Sequence, residues 1–481
     1  MKQRYPTIRM SACATLALML AACASEKPAP RTVMQAPAAL ADGQTLVATR
    51  TAPEWPGAAW WQRFGDPQLN HLVSQALIGS PSLAQAEARV DDALAAAGAS
   101  VAALRPHLDA SGSFSYQRLT ETQFFPPPWG GNRYWNNDLV LNASLDLDIW
   151  GRQHQLLKAA QDRGRMAAAE ADEAREALVD ALVRSYIQLA LLQSQADLLT
   201  RELALQNDQV SLAHRRYGVG LGTQLELTQA QSRIPVVSAE LDEINGNLAV
   251  TRLQLAALSG QGPAAAQQLA APVIDLTRRP EVPEVVPVRW LGRRPDVVAR
   301  RWQVEVGSHE LEAAHLSFYP DINLSAYVGY QALGLNDLLT HNSRIYGVTP
   351  AFSLPIFEGG RLKAAQFAKA AERDAAIAAY NDTLLTAARQ VTSLVAGLKA
   401  LDAQTEEAGR SVALADQSAA LTRRGLKAGL VERAKVLDTE LAVLNEQRRL
   451  DQLRAHRLDV VVQLIRATGG ESDDAGNGQA E

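Results

Sequence analysis

Cysteine is almost absent. Of 481 residues only Cys13 and Cys23 are cysteine, so the body of the chain can hold neither a disulfide framework nor a thiolate metal site. Long apolar runs are missing too. After the first two dozen residues no stretch of about 18 apolar residues occurs, which excludes a transmembrane helix there and leaves a β-barrel for any membrane-spanning part. Charge of one sign is not in excess. A net charge of −5 and a pI near 6.0 offer no basic surface for nucleic acid. Catalytic spacings are lacking as well. His309-Glu310 and His315 resemble a zinc helix, but the two histidines lie six apart, about 240° around a helix, and cannot chelate one ion. Gly218–Gly222 reads GVGLG, yet no Lys-Ser/Thr follows to hold a nucleotide. The eight histidines are scattered and no G-x-S-x-G elbow occurs, so no enzyme, metal or cofactor is expected.

What the N-terminus does have is an address. Lys2, Arg4 and Arg9 precede the apolar run Ala12–Ala22, which ends in Leu20-Ala21-Ala22-Cys23. This spacing is that of a lipoprotein signal, with residues 1–22 cleaved and Cys23 lipidated as the first mature residue. A single acyl chain holds only marginally, so firm anchoring requires more than one. Ala24, in place of an aspartate that retains lipoproteins in the inner membrane, favours the outer membrane.

The rest of the chain is written twice. Pro81 and Pro295 each open an amphipathic helix that ends near a second proline, Pro106 or Pro320, and both pairs are offset by 214 (295 − 81 and 320 − 106). Ile149-Trp150 answers Ile356-Phe357 and Gly220 answers Gly429. A duplication of such long period points to architecture. Each copy holds two segments of period-2 alternation: Leu108 to Tyr116 and Leu139 to Ile149, then Ile322 to Tyr330 and Val348 to Ile356. Segments of about ten residues with one apolar and one polar face have the form of transmembrane strands. Four strands cannot close a barrel when the smallest have about eight, so several chains are needed and three would give twelve. The segments 120–137 and 331–344, rich in Pro, Gly and aromatics, are expected as loops.

Helix fills what remains. Residues 153–217 contain no proline, about 65 residues or nearly 100 Å of helix. Leu178, Leu182, Ser185, Leu189, Leu192, Ala196, Leu199 and Leu203 follow the 4-3 spacing of a coiled-coil seam. The chain turns at Gly218–Gly222 and resumes over 224–258, with a kink expected at Pro235. The second copy runs over about 361–424, turns at 425–429 and returns over 431–468.

With these segments in hand, WWQRFGDPQLNHLVSQAL (60–77), RYGVGLGTQLELTQAQ (216–231), RRPDVVARRWQVE (293–305), SLPIFEGGR (353–361) and AGLVERAKVLDTE (428–440) resemble the signatures of TolC-like outer-membrane efflux proteins, in the NodT-type lipoprotein branch. The resemblance covers about 55–470. It implies a mainly α fold with transmembrane β, in which a strand pair plus a long helical hairpin is duplicated and three chains form a 12-stranded outer-membrane barrel continuous with a periplasmic α-helical barrel. Residues 23–54 would be an N-terminal equatorial segment, 55–260 the first repeat, 261–294 an inter-repeat equatorial segment, 295–470 the second repeat and 471–481 a disordered tail. The partners implied are two further copies, a periplasmic adaptor protein, an inner-membrane transporter of the resistance-nodulation-division type and outer-membrane lipid. The implied activity is efflux of small molecules such as drugs, and the alternative is the conduit of a type I system secreting peptides or proteins. The hairpin tips Gly220, Leu221, Gly222, Gly429, Leu430 and Val431 would dock the adaptor. Asp438, by likeness to a family aperture aspartate, and Glu226 at the equivalent place would form the periplasmic gate with Lys435, where the family pattern has a second aspartate. A rod-like lipoprotein would explain the helices and Cys23 but not the four alternating segments.

Overall fold

Pro67, Pro81 and Pro295 each occupy the first position of a helix, period-3.6 patterning carries the longer helices, and alternation builds the strands. The computed structural model describes residues 27–47, 59–122, 130–283 and 285–470. The short strand β1 (Leu46–Val47) precedes the helices α1 (Pro67–Gly79) and α2 (Pro81–Ala102), the strands β2 (His107–Arg118) and β3 (Arg133–Asp146), and the helices α3 (Arg152–Gly218) and α4 (Gln224–Leu258). A second short strand, β4 (Val286–Pro287), then opens the repetition: α5 (Pro295–Leu316), β5 (Asp321–Leu333), β6 (Arg344–Ser353), α6 (Arg361–Lys427) and α7 (Arg433–Ala467). The duplication is metrical. α2 and α5 both have 22 residues, α3 and α6 both 67, and α4 and α7 both 35.

Two compact units result, and each draws on both repeats. Among the described residues, one holds 27–34 with those of 89–167 and 300–380; the other holds those of 35–88, 168–299 and 381–470. In the first, the four long strands form one antiparallel sheet in the order β2-β3-β5-β6. The strands reach further than their apolar alternation suggests. Residues 133–137, expected in a loop, already belong to β3, because Arg133 and Tyr134 pair with Arg118 and Gln117 and Trp135 stacks on Tyr116 at 5.3 Å between ring centroids. β5 likewise runs to Leu333, opposite Asn136. At the other end β3 stops at Asp146 rather than 149, since Asp148 instead accepts from the amides of Gln153 (2.8 Å) and His154 (2.9 Å) and so opens α3. β6 stops at Ser353, before Pro355, which has no amide for the ladder. The expected loop residues 123–129 lie outside the described residues.

In the second unit, β1 pairs in parallel with β4, so the N-terminal and inter-repeat segments meet. α4 runs unbroken through Pro235. The seam of α3 is buried at Leu178, Leu182, Leu189, Leu192, Ala196 and Leu199, among a core that includes Trp60, Trp61, Phe64 and Val461. Ser185 and Leu203 are only partly buried, at the places where the heptad carries a polar residue or nears its end.

The signature residues near the start build this core. Trp60, Trp61 and Phe64 are buried, Gly65 closes their short helix at φ 74°, and Asp66 caps α1 by accepting from Gln68 N at 2.9 Å. The second Asp66 oxygen takes the Tyr186 hydroxyl at 2.7 Å and Val273 N at 2.8 Å, so one buried carboxylate ties α1, α3 and the inter-repeat segment together. Burial, reinforced by that carboxylate, pushes the Tyr186 hydroxyl up. Arg294 does the same work in the second repeat, bonding Asp296 (2.8 Å), Gln390 (3.1 Å) and the Ala467 carbonyl (3.1 Å).

Candidate functional site

Cross-strand register decides what the sheet presents. Leu108 faces Ala143, Ala326 and Val348 in turn, and Ala110 faces Leu141, Val328 and Tyr346, so apolar residues of all four strands line up on one face. That face is bare within the chain. Leu108, Phe114, Tyr346 and Phe352 are 57–82% exposed, which an isolated soluble sheet would not tolerate over so wide an area. The opposite face is mixed, with Val140, Tyr327 and Ile345 among polar groups, and there Asn142 donates to Asp109 (3.2 Å) and Ser111 (3.1 Å). Gly329 lets β3 and β5 approach. A Cβ there would lie 2.3 Å from the Leu139 carbonyl oxygen. β2 and β6, the outermost strands, each pair on one side only, and the even strand count makes them run in opposite directions.

The two hairpin turns are built alike. Leu221 N donates to Arg216 O at 2.9 Å and Leu430 N to Gly425 O at 2.9 Å, each closing its helix around a glycine in the left-handed region, Gly220 at φ 77° and Gly429 at φ 75°. Neither turn covers its apolar side chains. Val219, Leu221, Leu225 and Leu430 are 65–82% exposed. Gly222 packs tightly on Arg216, and Val431 lies so close to Gly425 that a Cβ there would sit 2.6 Å from Val431 Cγ2. Gly220, Leu221, Gly222, Gly429, Leu430 and Val431 are thus two local clusters of the same form, joined by the exposed pair Arg216–Glu432 at 2.7 Å.

The acidic residues just past the tips differ from one another. Glu226 closes a capping box: its carboxylate accepts from Thr223 N at 3.2 Å while Thr223 Oγ1 accepts from Glu226 N at 3.2 Å. Its local role is to start α4. Asp438 is exposed on α7 and takes the Gln209 side chain of α3 at 2.8 Å. Lys435, one turn earlier, is exposed and has no ion-pair partner among the described residues, so the close helical spacing of Lys435 and Asp438 does not yield a pair. Gln209 and Glu432 escape sequence reasoning because their partners lie 229 and 216 residues away. Cys23 lies outside the described residues. Groups of His, Cys, Asp and Glu able to hold a metal are absent among the described residues, and His309 instead meets Gln155 at 2.8 Å.

A family model described as outer membrane efflux protein matches residues 72–261 and 286–470. The chain belongs to the outer membrane efflux protein family. Among its relatives, the fusaric acid resistance protein FusA of Burkholderia cepacia is 34% identical over 73% of this chain and 67% of that protein. The multidrug resistance outer membrane protein MdtQ of Escherichia coli is 29% identical over 97% of this chain and 98% of its own. The crystal structure of the outer membrane protein VceC of Vibrio cholerae superposes with a TM-score of 0.80 at 34% identity, covering 87% of this chain and all of that one. As an outer membrane efflux protein the chain is a channel component with the TolC-like fold, and it conducts rather than catalyses.

Proposed function

We propose that three copies of this chain close a twelve-stranded barrel in the outer membrane and export small toxic molecules received from a periplasmic adaptor and an inner-membrane transporter. The observation that carries this reading is the four-stranded sheet, with its exposed apolar face in register and its two edges running in opposite directions. In lipid an unpaired edge costs several kcal/mol per buried polar group, so β6 of one copy pairs with β2 of the next until the ring closes. The relatives named for fusaric acid and multidrug resistance support small-molecule cargo. A resistance-nodulation-division transporter fits such cargo. The exposed leucines of the two tips would meet the adaptor, Asp438 with Lys435 and Glu226 would border the periplasmic aperture, and Cys23 would carry the acyl chains. Native mass measurement of the protein in detergent is expected to give a trimer, and a stable monomer with intact strands would overturn the reading. Labelled palmitate is expected to enter the wild type and not Cys23→Ser; label persisting on the variant would move the anchor elsewhere.

A further inference from the structure

Five arginines converge on a cavity of about 370 Å³ in the second compact unit: Arg278 and Arg279 from the inter-repeat segment, Arg410 from α6, and Arg454 and Arg457 from α7. Three of them have carboxylate partners. Arg410 is held by Glu406 (2.6 Å) and Glu407 (2.9 Å), Arg454 by Asp451 (3.3 Å), and Arg457 donates Nε–H to Asp402 at 2.5 Å. With Asp275 nearby the carboxylates equal the arginines in number, yet not every guanidinium is engaged. Arg278 and Arg279 form no ion pair among the described residues. The Arg457 side chain is only 9% exposed, and its Nη1, buried, has no hydrogen-bond partner. A guanidinium donor left unsatisfied in a buried position is costly, and the residue that carries it, Arg457, borders the cavity together with four other arginines.

The inter-repeat side of the cavity is fixed in advance. Asp275 accepts from Thr277 N at 2.8 Å and from its hydroxyl at 2.7 Å, and Arg278 N donates to Asp275 O at 3.1 Å, so a local turn sets where Arg278 and Arg279 begin. Leu450 supplies apolar surface, and a Cβ at Gly409 would meet nothing within 4 Å, which leaves room beside Arg410. Planar guanidinium forks match the paired oxygens of phosphate and carboxylate groups, which a lysine cluster would hold only as point charges.

We infer that this arginine-lined cavity binds a small anion bearing phosphate or carboxylate groups, and that the bound anion ties the inter-repeat segment to α6 and α7. The oxygens would take the Nη1 donor of Arg457 together with the forks of Arg278 and Arg279. The inference rests on this chain's own side chains and is independent of the exported cargo.

The test uses the full-length protein in detergent, with sodium pyrophosphate and sodium tricarballylate as probes against sodium chloride at matched ionic strength. Titration calorimetry is expected to show saturable binding of at least one probe, one per chain, with a rise in melting temperature that chloride does not reproduce. Stronger binding of pyrophosphate identifies a phosphate ligand, and stronger binding of tricarballylate a carboxylate one. Arg278→Gln with Arg279→Gln, both at exposed positions outside any ion pair, should weaken binding at least tenfold while leaving the fold intact. Arg457→Lys, which keeps the charge but loses the fork, should weaken it as well. The site is overturned if neither probe binds saturably, or if the double variant binds as tightly as the wild type.

Discussion

At the scale of single residues, Glu176 offers a reading of pH that does not depend on transport. Burial pushes its carboxyl up to about 8 against the pull of Arg466 and Arg294, with Asp296 and Asp172 adding to the rise. In the unfolded chain the same group titrates near 4.5. The folded protein therefore binds more protons than the unfolded one between these values, and the contribution of Glu176 to stability is full below about 4.5 and lost as pH rises through about 8. Glu176→Gln, which cannot ionise, is expected to flatten that decline, measured as melting temperature over this pH range; an unchanged slope would assign the decline to other carboxyls. Asp438 presents a different case. Its partner Gln209 is neutral, so its charge is uncompensated by a close cation, and three copies around an aperture would repel one another. Asp438→Ala should raise single-channel conductance in planar bilayers, whereas Glu226→Ala should chiefly weaken the start of α4, by about 1 kcal/mol as capping losses go. Equal conductance changes from both would show that the capping bond does not set Glu226 apart.

Among the elements, the duplicated helices and strands were legible because their signals are local: proline openers, period-2 alternation, glycine at the turns. The recurrence of the helical hairpin could be anticipated from the match of Gly220 with Gly429, but the equal lengths of α4 and α7 could not, since the expected span 431–468 overran α7 at both ends. Strand ends were less legible. Residues 133–137 hold polar and aromatic side chains that look like loop, and only the pairing with β2 makes them strand. The second Asp66 contact, the Gln209–Asp438 bond and the arginine cavity bring together residues more than a hundred apart, and no local pattern announces them. At the turns, glycine conformation and exposed leucines coincide, and substitution can separate closure of the helix from contact with a partner. Gly429→Trp would strain a backbone at φ 75° but meets open space, so trimer and insertion should survive, while drug efflux from cells should fall at least tenfold if the tip is a docking surface. Normal efflux by this variant and by Gly220→Trp would reduce the tips to helix ends.

For the whole molecule, the sheet that no single chain can complete has a genetic consequence. A copy whose β6 edge cannot pair, made by placing proline at Val348, whose amide points away from β5, or charge on the apolar face, would enter a ring and leave it open. Expressed at equal levels with the normal gene, such a copy should poison most assemblies, since only about one ring in eight would draw all three chains from the normal pool. The mutation would then be dominant, and drug sensitivity of the mixed strain should approach that of a deletion. A recessive outcome would mean that defective chains are sorted out before they meet the membrane, which would place a checkpoint ahead of barrel closure.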